Sequence, residues 1–162
     1  MDIYEYAMKM EKDGEGYYRE LAEKNQETGI KNIFTMLADA EVIHHNIFRR
    51  MKEHEKPEVA QTTILSDVKN IFEKMKEGTK KIEQLNLTEA ELYHKAKGIE
   101  KVSRDFYLKQ AEDAEDSSQK DIFLKIADEE RKHFVILEEL IIFISKPHVW
   151  LENAEWYDLE PL

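Results

Sequence analysis

The sequence predicts an all-α protein, a four-helix bundle built from two copies of one helical hairpin. Three observations carry this. Five stretches place apolar residues at helical spacing, and no stretch alternates with period two for long enough to form a strand. The chain repeats itself at an offset of 89 residues. Only 5 Gly and 3 Pro punctuate 162 residues, 36% of them charged, which is the make-up of long helices with solvated outer faces.

The first helix is expected over about Asp2–Gln26, with Asp2 as N-cap and Ile3, Ala7, Met10, Tyr17, Tyr18 and Leu21 as its apolar positions. Gly29 marks the break after it. The second runs from about Ile30 to His54 on a stripe of Ile33, Phe34, Leu37, Ala38, Ile47, Phe48 and Met51, and Pro57 closes it. The third covers about Ser66–Gln84, with Val68, Ile71, Phe72, Met75 and Ile82 at helical spacing. The fourth opens on Thr88-Glu89-Ala90-Glu91, a capping box whose hydroxyl and carboxylate satisfy two unpaired amides, and ends near Asp116. The fifth follows Ser117-Ser118 and reaches Ser145, ahead of Pro147.

Tyr4–Met51 aligns with Tyr93–Leu140 without a gap, and 15 of 48 positions are identical. Glu11/Glu100, Tyr18/Tyr107, Asp39/Asp128, Glu41/Glu130 and His44/His133 are among the matches. Two hairpins, about residues 2–54 and 88–145, therefore join through a long helical crossover at 55–87. Residues 1–146 form the bundle, and 147–162 form an aromatic and acidic tail.

Composition narrows the function. A net charge of −11 argues against a nucleic-acid partner, which needs a clustered positive face. The absence of cysteine excludes disulfides, zinc ribbons, iron–sulfur clusters and thiol chemistry from this sequence. The N-terminus lacks the form of a signal peptide, and the longest apolar run, Leu140–Ile144, is too short to span a bilayer. The expectation is a cytoplasmic protein with no membrane partner. Leu140–Ile144 is apolar all round, so one packed face cannot bury it. The tail, with Trp150, Trp156 and Tyr157, or another subunit is expected to cover it, which favours a homodimer or larger oligomer.

The second and fifth helices each carry E-x-x-H, as Glu41…His44 and Glu130…His133. Residues three apart on a helix share a face. The first and fourth helices add Glu11 and Glu100, each thirty residues before the motif glutamate of its own hairpin. Counting up one helix and down the next brings both acids of a hairpin to within about 9 Å of one level. A lone E-x-x-H is commonly a solvated face. Here the residues share faces with Leu37, Ile126, Tyr18 and Tyr107, and the constellation occurs twice in register.

Four buried carboxylates without cations would take up protons, whereas two divalent cations would neutralise them. A mixed oxygen and nitrogen shell suits iron or manganese better than zinc. Glu11 with His44 is expected to serve one metal, Glu100 with His133 the other, and Glu41 and Glu130 to bridge them.

Other residues carry weaker signals. Tyr18 and Tyr107, seven residues past Glu11 and Glu100, admit two roles, hydrogen bonding to the carboxylates or core packing. Asp39 and Asp128 should point outward. His45, His54, His94 and His148 lack partner motifs and read as surface residues. Met8 and Met10 read as core filler rather than haem ligands.

At these motifs the chain resembles the rubrerythrin family of ferritin-like di-iron proteins. The resemblance covers about residues 3–52 and 90–145, through Glu11…Tyr18, Ala38-Asp39-Ala40-Glu41-Val42-Ile43-His44, Glu100…Tyr107 and Ala127-Asp128-Glu129-Glu130-Arg131-Lys132-His133. It implies a ferritin-like bundle holding two iron ions and reducing hydrogen peroxide in oxidative-stress defence, with an external electron-donor protein. Two alternatives stay open: ferroxidase or iron handling with dioxygen, and a non-catalytic metal-binding bundle. The sequence departs from the family twice. It has no cysteine for a rubredoxin domain, and Ser103 stands where the family has an extra glutamate, with Gly14 as its repeat partner. Both small residues are expected to face the site and leave a cavity there.

Overall fold

A computed structural model of the chain describes residues 2–76 and 90–145. Within them lie α1 (Ile3–Lys24), α2 (Thr28–Lys52), α3 (Ile64–Lys76), α4 (Ala90–Asp113) and α5 (Ser117–Ser145), and no strand. The fold is all-α, a ferritin-like bundle. Ile82, Thr88, Glu89, Pro147, His148 and the tail aromatics lie outside the described residues.

Each hairpin is set by local chemistry. Asp2 caps α1, its carboxylate accepting the Glu5 N–H at 2.8 Å. Asn25 ends it, and its side-chain amide donates to the Leu21 carbonyl at 2.9 Å. Asp116 starts α5, its carboxylate accepting the Ser118 N–H at 3.1 Å. The two hairpins pack so that α1 runs antiparallel to α4. The Tyr6 ring lies 4.9 Å from Phe106 at one end, and the Tyr17 hydroxyl donates to the Leu92 carbonyl at 2.9 Å at the other.

Gly29 is not the break between α1 and α2. The break is at residues 25–27, and Gly29 sits in the first turn of α2, where Glu27 accepts its N–H at 2.9 Å. A Cβ on Gly29 would lie 2.5 Å from Met75 Sδ, so the glycine admits α3 rather than making a turn. Nor does Pro57 close α2. The helix ends at Lys52, and His54 takes the left-handed turn at φ 65°, a conformation the sequence did not signal because no glycine or asparagine stands there. The crossover begins with non-helical residues 55–63 before α3.

The Leu140–Ile144 run is covered largely within the chain. Leu140, Phe143 and Ile144 are buried, and α3 supplies cover, with Phe72 4.8 Å from Phe143. Only Ile142 of this run is exposed, at 41%. Cover for this run thus comes from α3 within the chain, whereas the tail expected to share that role lies outside the described residues. No helix among them is long and apolar enough to cross a membrane.

The core has two parts. One cluster surrounds Phe34, Leu37, Tyr93, Ile136 and Phe143 near α3. The other surrounds Phe48, Tyr107, Phe123 and Ile126 at the opposite end. A polar layer lies between them.

Candidate metal centre

The polar layer is made of Glu11 on α1, Glu41 and His44 on α2, Glu100 on α4, and Glu130 and His133 on α5. Each is at most 3% exposed. Helical spacing turns Glu41 and His44 inward together, as it does Glu130 and His133, while the antiparallel pairing brings the four helices to one level. The imidazole rings lie 5.8 Å apart and 12° from parallel. His44 Nδ1 is 2.9 Å from Glu130 Oε1 and 3.5 Å from Glu11 Oε2. His133 Nδ1 is 3.3 Å from Glu41 Oε1 and 3.4 Å from Glu100 Oε1.

These atoms form two overlapping clusters. Glu11, Glu41, His44 and Glu130 make one, and Glu41, Glu100, Glu130 and His133 the other; within each, the ligand atoms lie within 4.8 Å of one another. Glu41 and Glu130 belong to both.

The protein alone does not satisfy this layer. Glu11 Oε2, Glu41 Oε1, Glu100 Oε2 and both ring nitrogens of His133 are buried without a hydrogen-bond partner. Burying such atoms unpaired costs free energy, so their convergence fits a bound cation. The electrostatics agree. Burial, then the charges of Glu11 and Glu100, push Glu41 well above the usual carboxylate range. Burial, followed by Glu100, Glu41 and Glu11, does the same to Glu130. Burial also acts on Glu100, but His133, Glu130 and Tyr18 outweigh it and bring that carboxyl down to about 2. Glu11 is lowered likewise, its contacts with Glu41, His44 and Tyr107 outweighing burial. The layer therefore splits into two outer acids whose proton affinity is lowered and two central acids whose proton affinity is raised. A cation placed among them compensates the same charge repulsion.

Tyr18 and Tyr107 serve the carboxylates, but across the hairpins. The Tyr107 hydroxyl donates to Glu11 Oε1 at 2.6 Å, and Tyr18 donates to Glu100 Oε1. Burial, then the facing glutamate, raises both phenols well above their ordinary value, so both remain protonated donors. Their rings also pack in the core, with Tyr107 5.0 Å from Phe48.

Asp39 and Asp128 face outward, their side chains 62% and 49% exposed. His45 is half-buried, and His54 and His94 are exposed. Met8 and Met10 pack partly buried against the core. Gly14 leaves no open cavity: the Glu41 carboxylate fills the space, 3.3 Å from where a Cβ would stand. Ser103 is buried at 8% exposure.

One network had no sequence signal strong enough to find it. Glu129 and Lys132 are buried and paired at 3.0 Å, and Glu129 accepts the Thr62 N–H at 3.1 Å and its hydroxyl at 2.6 Å. An i,i+3 charge pair usually marks a solvated face. The connector at residues 55–63 buries this one and pins itself beside Glu130.

The family model described as Rubrerythrin matches residues 2–141, which include the polar layer and both hairpins. This chain belongs to the rubrerythrin family. Membership places it among ferritin-like di-iron proteins, and the buried carboxylate and histidine groups of the polar layer can hold metal. No curated protein and no solved structure matched the chain.

Proposed function

We propose that this rubrerythrin-family chain holds two iron ions in the polar layer and reduces hydrogen peroxide to water. The observation that carries the proposal is the pair of overlapping four-residue clusters sharing Glu41 and Glu130. Glu11 and His44 would hold one ion, Glu100 and His133 the other, with Glu41 and Glu130 between them. Manganese fits the same donor set, and the family points to iron. Bound iron supplies two electrons together, one from each ion, which suits cleavage of an O–O bond without release of a hydroxyl radical.

The chain's own residues prepare the site. Tyr107 and Tyr18 fix one oxygen of Glu11 and of Glu100, leaving the second oxygen of each, orphaned in this structure, free for metal. His44 and His133 present Nδ1 toward the carboxylates. The apolar clusters on either side keep bulk water out and strengthen the local electrostatics. The electrons for turnover are assigned to an external electron-donor protein, as the family resemblance implies.

The test is stopped-flow mixing of anaerobically reduced, iron-loaded protein with each oxidant. Two irons per chain, and oxidation faster by peroxide than by dioxygen, are expected. Faster oxidation by dioxygen, with ferric mineral accumulating over repeated iron additions, would replace this reading with ferroxidase activity.

A further inference from the structure

We propose that Gly14 is a positioning residue of the metal centre: its missing side chain is the seat of the Glu41 carboxylate. The inference rests on the metal-binding reading above. Gly14 is buried on α1, facing α2. A Cβ there would stand 3.3 Å from Glu41 Oε2, 3.4 Å from its Cδ and 3.7 Å from its Cγ. The first distance is tighter than ordinary van der Waals contact and the second stands at its limit, so the carboxylate would have to move by a few tenths of an ångström.

That carboxylate is held on its other side as well. Glu41 is 3% exposed, and its other oxygen already lies 3.3 Å from His133 Nδ1. Because Glu41 belongs to both clusters, a displacement caused on α1 reaches the histidine on α5 as well. Positions held by fractions of an ångström are what a metal site requires of its ligands.

The two exposed glycines of α1 and α4 show the contrast. Gly16, two residues further along α1, and Gly98 on α4 have nothing within 4 Å of a built Cβ. A glycine inside a helix destabilises it relative to alanine, so Gly14 sits there against the helix's own preference. The repeat sharpens the point. Ser103, its partner on α4, carries a Cβ and a hydroxyl at 8% exposure. The two halves thus share their ligand types but differ at this repeat position, and Glu41 rests against the bare backbone of Gly14.

The experiment compares wild type, Gly14→Ala, Gly16→Ala and Glu41→Asp, with the double variant Gly14→Ala/Glu41→Asp. Metal-free thermal melts report the fold, and anaerobic titration with Co2+, read through its visible absorption bands, reports the site. Wild type should take two Co2+. Gly16→Ala should melt higher and titrate as wild type. Gly14→Ala should keep its helical spectrum, bind at least one Co2+ tenfold or more weakly, and show shifted bands. Shortening the acid relieves the crowding, so Glu41→Asp should cost less affinity in the Gly14→Ala background than alone. Were Gly14→Ala unfolded, the double variant should regain the fold, and its failure to do so would overturn the proposal. Wild-type stoichiometry, affinity and bands in Gly14→Ala would overturn it while leaving the metal reading intact. Absence of Co2+ binding by wild type would overturn both.

Discussion

Tyr18 and Tyr107 hold the opposite hairpin's outer glutamate, so each hydroxyl ties the two halves of the bundle through the site. Removing such a hydrogen bond to a metal ligand typically weakens binding about 10–100-fold. Tyr107→Phe should therefore weaken the ion held by Glu11 and His44, and Tyr18→Phe the one held by Glu100 and His133, with the fold kept because the rings remain. Metal titrations of both variants check this, and equal loss at both ions in each variant would contradict the assignment. The histidines divide the same way. His44→Ala should leave one ion bound and His133→Ala the other, as metal analysis and the differing spectra of the two half-loaded proteins would report. Full occupancy in either variant would sink the ligand assignment.

At the scale of the helices, two glycines make opposite predictions from one physical cause. Gly98 on α4 has open space where a Cβ would stand, so Gly98→Ala should stabilise the protein by about 0.5–1 kcal/mol through helix propensity. Gly29 on α2 meets Met75 Sδ at 2.5 Å and Ile71 Cγ2 at 3.2 Å. Gly29→Ala should cost roughly 1–3 kcal/mol by overpacking, since Met75 is itself buried between α2 and α3. Urea unfolding of both variants tests the pair, and a stabilised Gly29→Ala would show that α3 does not sit where this structure places it.

For the whole molecule, the polar layer is where proton binding and metal binding couple to stability. Glu41 and Glu130 have raised proton affinities in the fold, as does His44, where burial is outweighed by Glu11, Glu100 and Glu129 together. Groups that bind protons more tightly folded than unfolded contribute stability that is lost as pH rises. Glu11 and Glu100 are lowered, so their contribution disappears only on acidification below the ordinary carboxylate range. The metal-free protein should then lose stability as pH rises from about 5, the ordinary carboxylate region, toward 8. Metal should reverse the trend and, at a hundredfold excess over its dissociation constant, add about 2.7 kcal/mol per site. Melting curves with and without chelator across that pH range measure both effects. A metal-free protein that gained stability over the range would contradict the raised proton affinity of Glu41 and Glu130.

The hairpins and the convergence of six ligand-type residues were legible in the sequence because both depend on helical period and on a repeat in register. Glu11, Glu41 and His44 lie on faces that spacing alone identifies, and the match of Glu100, Glu130 and His133 states the same pattern twice. The end of α2 was legible to within two residues but not its means: His54, rather than Pro57, terminates the helix through its own backbone conformation. Nor were contacts between elements distant in the chain. That Tyr18 bonds Glu100 rather than a partner in its own hairpin, that α3 covers Phe143, and that Thr62 buries Glu129 all follow from how the hairpins and connector dock. So does the filling of the Gly14 space by Glu41. Sequence periodicity determines which face a residue occupies on its own helix. Only the packing of one helix against another decides what that face meets.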